Sequence, residues 1–289
     1  MLVQGAAQLG RLFKVSDVFM GVVVVGLGTS LPEIMTALMA AFKNDPGIAT
    51  GNVVGSNIAN VLLILGTALV LFGQRSMGFG RGRIDYAIMV FATAVLCVLA
   101  ATWGEVGALQ GGGLLLLLGA VFFVLMYQGR QTFTPPLEET LPQSAPLGVA
   151  AKTALALAGL WLGSVWLVDG ASALAVNYGV PQEVVGLSVV ALGTSLPELA
   201  ATFAAYKTKN GQMILGNVLG SNILNIFAAL GLAALVTPLS LNGIWPSIGT
   251  AAAAAVAILP LFVLSKPPAR FMGLLFLAAY MFYIYNVFG

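Results

Sequence analysis

Two carboxylates are unusual in this sequence because each lies near the middle of a long apolar stretch. Glu33 and Glu198 each end the same string, Gly-Thr-Ser-Leu-Pro-Glu, at 28–33 and 193–198. A carboxylate at the centre of a membrane-spanning helix costs roughly 2.5–3.5 kcal/mol on insertion scales, so both side chains should face inward and meet a partner. No lysine or arginine lies at a comparable depth. A bound cation is therefore the expected partner of both glutamates.

Each string brings further oxygen atoms beside its glutamate. Pro32 and Pro197 lack an N–H group and clash with the carbonyl four residues earlier, so they free backbone carbonyls around Gly28 and Gly193. Two hydroxyl side chains accompany each carboxylate: Thr29 and Ser30 in the first copy, Thr194 and Ser195 in the second. Carbonyl, hydroxyl and carboxylate oxygens together suit hard cations such as Ca²⁺ and Na⁺.

A second string, Gly-Asn-x-x-Gly-Ser-Asn-Ile-x-Asn at 51–60 and 216–225, lies on the following predicted helix in both copies. Its serine and its last asparagine are four residues apart and share one helix face: Ser56 with Asn60, and Ser221 with Asn225. Its glycines predict close helix packing rather than ligands: Gly51, Gly55, Gly216 and Gly220. We expect its other asparagines to bond the backbone of broken helices rather than an ion: Asn52, Asn57, Asn217 and Asn222.

The composition places these strings in a membrane protein. The chain has 289 residues, of which 59% are hydrophobic and 8% charged, whereas a soluble domain typically carries about 25% charged residues. Apolar stretches of about 20 residues, long enough to cross a bilayer, recur along the whole chain. Because the chain has one cysteine, Cys97, and no histidine, thiolate and imidazole metal sites are excluded. The basic residues are scattered, which does not indicate nucleic-acid binding.

Nine apolar stretches predict nine transmembrane helices. They lie near 18–42, 47–72, 85–102, 107–127, 149–172, 183–206, 211–236, 243–264 and 270–288. The polar, proline-rich stretch 128–148 divides them into two halves. We therefore predict a first repeat at 1–130 with its motif helices at 18–72, a linker at 131–148, and a second repeat at 149–289 with its motif helices at 183–236.

The basic residues predict the orientation in the membrane. If the segment before the first span faces the cytoplasm, all but one of the 12 basic residues lie on that side, and the exception is Lys43. The cytoplasmic ones are Arg11, Lys14, Arg75, Arg81, Arg83, Arg130, Lys152, Lys207, Lys209, Lys266 and Arg270. This positive-inside bias places the linker in the cytoplasm and the C-terminus outside.

Both strings belong to a long internal repeat. Residues 2–66 align with 167–231 without gaps, and the segments that hold both strings match at about 18 of 41 positions. Five predicted spans separate a residue from its counterpart, and because five is odd, the two copies should cross the membrane in opposite directions. Inverted repeats are typical of transporters, with the substrate site near the midplane. Since residues 167–171 end a predicted span and their counterparts begin the chain, we expect that a first helix is missing from an intact five-plus-five arrangement.

The doubled strings resemble the α-repeats of the sodium/calcium exchanger family, of prokaryotic type, within the larger cation/calcium antiporter group. The resemblance implies an all-α polytopic membrane protein with an inverted five-plus-five helix repeat that exchanges Na⁺ for Ca²⁺ by alternating access. Ca²⁺ and Na⁺ would bind as substrates, no cofactor is expected, and the protein would not be an enzyme. A bacterial or archaeal inner membrane is expected, and a monomer is compatible with this arrangement, while the oligomeric state stays open.

Carried over residue by residue, the family's ligands fall on both strings. The resemblance makes Glu33 and Glu198 shared carboxylates, and it assigns flanking Na⁺ sites to the backbone carbonyls of Gly26 and Ala191. The remaining ligands would be hydroxyl, carbonyl and amide groups of Thr29, Ser30, Thr194, Ser195, Ser56, Asn60, Ser221 and Asn225. Several relatives, including K⁺-dependent members, carry Asp at the position of Asn225, so K⁺ co-transport is not expected.

Three other functions stay open at this point. A proton-coupled Ca²⁺/cation antiporter would share the fold, although proton-coupled relatives carry a different string around their glutamates. A passive cation channel would use the same oxygen atoms and differ only in needing no counter-ion. A membrane phosphatase needs basic groups to hold phosphate, and none lies at mid-membrane depth.

Overall fold

The computed structural model describes residues 13–73, 82–131, 182–265 and 267–288, together with isolated positions at 9, 77, 79 and 80 and between 148 and 166. Within this part of the chain, six helices are long and apolar enough to cross a membrane, and two bent helix pairs raise the number of candidate spans to eight. The predicted span 149–172 and the predicted linker 131–148 lie almost entirely outside the described residues.

Ten helices carry the described fold. Their bounds are Val18–Thr29 (α1), Leu31–Phe42 (α2), Pro46–Phe72 (α3), Arg83–Trp103 (α4), Ala108–Gln131 (α5), Gly186–Thr194 (α6), Leu196–Lys207 (α7), Gly211–Val236 (α8), Asn242–Val263 (α9) and Ala269–Phe288 (α10). These agree with eight of the predicted spans to within a few residues, except that α5 runs past the predicted end at 127. Glutamine and arginine favour helix, and the first proline of the polar stretch is Pro135, so the helix continues to Gln131.

The two helices that carry the glutamates are broken where the prolines predict a break. The α1–α2 pair bends by 43° and the α6–α7 pair by 40°. The residues at the bends, Ser30 and Ser195, have ψ angles of 0° and 3°, which lie outside the α-helical range. Pro32 and Pro197 follow in the first turn of α2 and α7, where a missing N–H group is tolerated. Each break therefore starts a new helix immediately before a glutamate.

Local widening of the helices was not apparent in the sequence. Four π-helical stretches occur in the described residues, at Gly21–Gly26, Ala59–Leu65, Gly186–Val190 and Asn225–Leu230. The first and third stretches precede the bends. The second begins one residue before Asn60 and the fourth begins at Asn225, which are the last asparagines of the second string in the two copies. Such stretches are often found at functional sites, because the looser turn leaves backbone groups less fully bonded. Their matching positions show that both repeats share the same distortion.

The centre of the fold is made by α3 and α8, which pack on the broken helices of the opposite repeat. The first half of α3 contacts the π stretch of α6, and the first half of α8 contacts the π stretch of α1. A Cβ at Gly55 would lie 2.6 Å from the carbonyl oxygen of Leu187, and one at Gly216 would lie 2.2 Å from that of Val18. Backbone meets backbone at these points, which confirms the predicted packing role of both glycines.

A short pair of strands is the one non-helical element in the described part of the chain. Glu105–Val106 (β1) pairs antiparallel with Leu239–Ser240 (β2), so the turns that follow α4 and α8 meet at one end of the molecule. Gly104 ends α4 with a φ of 64°, a backbone conformation that glycine adopts without strain. The pairing is too short to change the helical class of the fold.

Replacing Gly216 by alanine should destabilise the protein, because the new Cβ would meet the Val18 carbonyl at 2.2 Å and the Gly21 Cα at 3.1 Å. Neither backbone group can move without shifting a helix, and we expect a loss of about 1–3 kcal/mol, seen as a lower Tm in detergent. Gly249→Ala is the matched control, since nothing lies within 4 Å of a Cβ there. An unchanged Tm for Gly216→Ala would contradict the close packing of α1 on α8.

Candidate cation site

Glu33 and Glu198 are fully buried at the start of α2 and α7, both with an exposed fraction of 0%. Each lies in the first turn of its helix, where the partial positive charge of the helix N-terminus stabilises a carboxylate. The bend residue three positions before each glutamate donates a hydrogen bond to the other glutamate. The structure thus brings together the two glutamates that the sequence places 165 residues apart.

Serines of the opposite repeat bond both carboxylates. The Ser195 hydroxyl donates to Oε1 of Glu33 over 3.1 Å, and the Ser30 hydroxyl donates to Oε1 of Glu198 over 3.2 Å. Ser221 donates to the same Glu198 oxygen over 3.3 Å. Oε2 of each glutamate is buried and accepts no hydrogen bond from any described residue. One carboxylate oxygen of each repeat is therefore held by protein while the other is left for a ligand.

The threonines of the first string bond asparagines of the opposite repeat. Thr29 Oγ1 donates to Asn217 Oδ1 over 3.0 Å, and Thr194 Oγ1 donates to Asn52 Oδ1 over 3.1 Å. Each repeat thus donates one threonine–asparagine hydrogen bond to the other and accepts the equivalent bond from it. A two-fold axis produces this relation. These bonds make the site a joint product of both repeats.

Asn52 bonds backbone rather than an ion, as expected, but not broken backbone: its Nδ2 donates over 3.0 Å to the Glu33 carbonyl, in the first turn of α2 after the break. Asn222 bonds the Val218 carbonyl of its own unbroken helix turn, and Asn57 accepts from Asn225, so for these two the expectation is wrong. It is also incomplete for Asn52 and Asn217, which touch the predicted ligand threonines. The sequence did contain a feature that points to both asparagines: each lies 19 residues after the glutamate of its own repeat.

The serines of the second string have unlike surroundings. Ser221 reaches the Glu198 carboxylate, whereas Ser56 lies 3.4 Å from the Thr194 hydroxyl and 3.5 Å from the Ala191 carbonyl. The carbonyl of Gly26, the counterpart of Ala191, lies 3.4 Å from the Thr29 hydroxyl. Both carbonyls predicted as Na⁺ ligands therefore lie beside the threonines of the first string.

Asn60 and Asn225 lie on the π stretches of α3 and α8 and are both fully buried. The π stretch of each contacts the glutamate helix of the opposite repeat. Asn225 Nδ2 donates to Asn57 Oδ1 over 3.3 Å, but Oδ1 of Asn225 and both polar side-chain atoms of Asn60 have no partner among the described residues. A buried polar atom without a partner costs about 1–3 kcal/mol, which a ligand would remove.

One buried hydroxyl without a hydrogen-bond partner in the described part of the chain has no counterpart in the other repeat and was missed by the sequence comparison. Thr202 is fully buried and its Oγ1 has no partner among the described residues. With Asn217 it lines a gap too narrow to hold a water molecule. Its counterpart in the first repeat is Ala37, so a search for repeated polar residues could not find it.

The donor set decides which ions the site can hold. Among the described residues, no group of three or more Asp, Glu, His or Cys side chains could hold a metal ion. Two carboxylates and several neutral hydroxyl, amide and carbonyl oxygens remain, and such oxygen atoms are the ligands of Ca²⁺ and other hard cations. The arrangement therefore fits a hard cation that is held with few charges, as reversible binding requires.

Comparison with known proteins identifies the family of this chain. The family described as "Sodium/calcium exchanger protein" matches residues 1–127 and 149–289. An uncharacterized membrane protein of Methanocaldococcus jannaschii is 32% identical over 281 residues, which cover 96% of this chain and 89% of that protein. The sodium/calcium exchanger MaX1 of Methanosarcina acetivorans is 31% identical over 277 residues, covering 82% of this chain and 79% of its own length.

Solved structures lead to the same family. The sodium-calcium exchanger NCX_Mj, soaked with 100 mM Na⁺ and 10 mM Sr²⁺, superimposes with a TM-score of 0.78 at 29% identity, covering 98% of this chain and 91% of that chain. The same exchanger soaked without Na⁺ and Ca²⁺ gives a TM-score of 0.75 at 29% identity, covering 99% and 92%. The described helices, the joint oxygen site and these matches show that this integral membrane protein belongs to the sodium/calcium exchanger family.

Proposed function

We propose that this protein exchanges Na⁺ for Ca²⁺ across the membrane by alternating access, at one site shared by the two repeats. The pair of buried glutamates carries the proposal. Each has one oxygen bonded by a serine of the opposite repeat and one oxygen without a partner among the described residues. Both lie in the core of a helical membrane protein, where an unpaired carboxylate has no structural use.

The ligands of this proposed site are the residues that the resemblance implies. Glu33 and Glu198 supply the charge, and the carbonyls of Gly26 and Ala191 serve flanking Na⁺ positions. Neutral side chains complete the coordination: Thr29, Ser30, Ser56, Asn60, Thr194, Ser195, Ser221 and Asn225. Two ionised glutamates balance one Ca²⁺ or two Na⁺, so either load is tolerated but not both together. Such mutual exclusion is the least that an antiporter requires.

The reciprocal contacts support an inverted arrangement of the repeats. Thr29 with Asn217 and Thr194 with Asn52 are related by an approximate two-fold axis. With an odd number of spans between the copies, that axis lies in the membrane plane, and the site can face either side through equivalent movements of the two halves. We further propose a bacterial or archaeal inner membrane, with the linker in the cytoplasm and the C-terminus outside.

Sodium is the coupling ion that we favour over protons. The sodium-calcium exchanger structure that this chain resembles was soaked with Na⁺ and Sr²⁺, and the relative MaX1 is named a sodium/calcium exchanger. The hydroxyls and carbonyls around the glutamates are ligands that Na⁺ accepts and that a proton does not need. Asn225 carries no charge, and we therefore expect no dependence on K⁺.

Calcium uptake into proteoliposomes should require Na⁺ inside the vesicles and should stop when the Na⁺ gradient is removed. Radiolabelled Ca²⁺ is the readout, and an imposed proton gradient without Na⁺ is the parallel condition. A protonophore should leave Na⁺-driven uptake intact. Uptake driven equally well by protons would support the proton-coupled alternative, and uptake with neither gradient would indicate a passive channel.

Neutralising either glutamate should abolish exchange, because one charge cannot balance a divalent cation in the membrane core. We expect Glu33→Gln and Glu198→Gln to reduce Na⁺-driven Ca²⁺ uptake by more than about 100-fold, as expected when removal of one partner leaves a buried charge uncompensated. The control is Glu105→Gln, the same chemical change at an exposed position. Substantial exchange by either site variant in correctly folded protein would exclude the shared-carboxylate site.

A further inference from the structure

A threonine hydroxyl can bind a cation only if its single hydrogen points elsewhere. The hydroxyl has one donor and two acceptor lone pairs, so the group that accepts the hydrogen decides where the lone pairs face. Thr29 and Thr194 are the proposed ligands to which this applies, and both are almost fully buried, with exposed fractions of 0% and 1%. Water cannot take their hydrogens freely, and the nearby protein acceptors must do so.

The acceptors available to the two threonines differ. Each threonine lies beside the carboxylate of the opposite repeat, Thr29 beside Glu198 and Thr194 beside Glu33. Among neutral acceptors, Thr29 has the Asn217 Oδ1 atom at 3.0 Å and the Gly26 carbonyl at 3.4 Å. Thr194 has the Asn52 Oδ1 atom and the Val190 carbonyl, both at 3.1 Å, and the Ala191 carbonyl at 3.3 Å. Thr194 therefore has a second neutral acceptor at the same distance, and Thr29 does not.

We propose that Asn217 is a positioning residue that takes the Thr29 hydrogen and so turns the lone pairs of this hydroxyl towards the transported cation. Asn52 acts in the same way on Thr194, with less effect because Val190 can replace it. The inference rests on the proposed function for the identity of the cations. Nothing in the repeat pattern distinguishes the two asparagines, and the difference comes from the surrounding acceptors alone.

The orientation of the two amides follows from their partners. Asn52 Nδ2 faces the Glu33 carbonyl at 3.0 Å, and a carbonyl can only accept, so Oδ1 must face Thr194. The approximate two-fold relation gives Asn217 the same orientation, with Oδ1 towards Thr29. Asn217 Nδ2, by contrast, has no partner among the described residues. The donor half of the amide is therefore needed at position 52 and not at position 217.

Loss of the Asn217 acceptor also affects a neighbouring ligand. The Thr29 hydrogen would turn to the Glu198 carboxylate beside it or to the Gly26 carbonyl at 3.4 Å. That carbonyl is a proposed Na⁺ ligand, and a hydrogen directed at it competes with the ion for the same lone pairs. We therefore expect the half-saturating concentration of Na⁺ to rise at least as much as that of Ca²⁺.

The test compares leucine at both positions with aspartate at position 217. Leucine removes the acceptor and the donor, whereas aspartate keeps an acceptor oxygen and adds an ionisable group. We expect Asn217→Leu to raise the half-saturating Ca²⁺ and Na⁺ concentrations about tenfold, the size of one misdirected hydrogen bond to a charged group. Asn217→Asp should recover most of this loss, and the recovery should disappear in a Thr29→Val background, where an added charge alone would still act. Asn52→Leu should raise both concentrations less than Asn217→Leu, because the Val190 carbonyl can take the Thr194 hydrogen.

A double-mutant cycle separates positioning from general damage. In a Thr29→Val background the hydroxyl is gone, so Asn217→Leu should add less than about twofold. The control is Asn222→Leu, which removes a buried amide from the same helix whose bond stays within that helix. An equal tenfold effect of Asn217→Leu with and without the Thr29 hydroxyl would overturn the proposal, and so would failure of Asn217→Asp to restore affinity.

Calcium binding should also be measured directly, as the rise in Tm with added Ca²⁺ in detergent. This measurement depends on neither the coupling ion nor transport. If wild type bound Ca²⁺ but showed no Na⁺-driven uptake, the proposed exchange would be wrong, while the cycle between Asn217 and Thr29 would still decide the positioning role. A loss of Ca²⁺-induced stabilisation in Asn217→Leu that Asp restores supports that role under either outcome.

Discussion

Two carboxylates lie in the core of this membrane protein, and neither has a lysine or arginine in its own string. Their burial imposes the main constraint on the structure. Glu33 and Glu198 are fully buried, and each leaves one oxygen without a partner among the described residues. The breaks at Ser30 and Ser195 reduce the cost of this burial, because they place each glutamate in the first turn of a new helix, where the helix dipole is favourable. The remaining charge is left for a mobile cation, which makes the site suitable for transport.

Breaking a helix inside a bilayer exposes backbone groups that lipid cannot satisfy, so the breaks must be enclosed by protein. The most buried helices, α3 and α8, provide this enclosure by packing on the broken helices of the opposite repeat. Gly55 and Gly216 allow backbone to touch backbone there. Asn52 also bonds the carbonyl of Glu33, in the first turn after the break. Packing and polar satisfaction are thus achieved by the same two helices.

The site is nearly symmetric in composition but not in bonding. Ser221 bonds a glutamate while Ser56 lies beside a threonine, and Asn52 uses both ends of its amide while Asn217 uses one. The alternating access that we propose needs two states of similar free energy, which near-symmetric repeats favour.

The sequence by itself determined the membrane class, the positions of eight candidate spans among the described residues, the two helix breaks and the two glutamates of the candidate site. These depend on hydrophobicity and on proline, whose effects act within a few residues along the chain. It did not determine the π stretches or the end of α5. Only the tertiary structure decided that Ser30 bonds Glu198 rather than Glu33, and that Asn217 receives the hydrogen of Thr29. Those partners are more than 160 residues apart, and which helices cross, and at what distance, depends on packing that no local pattern records.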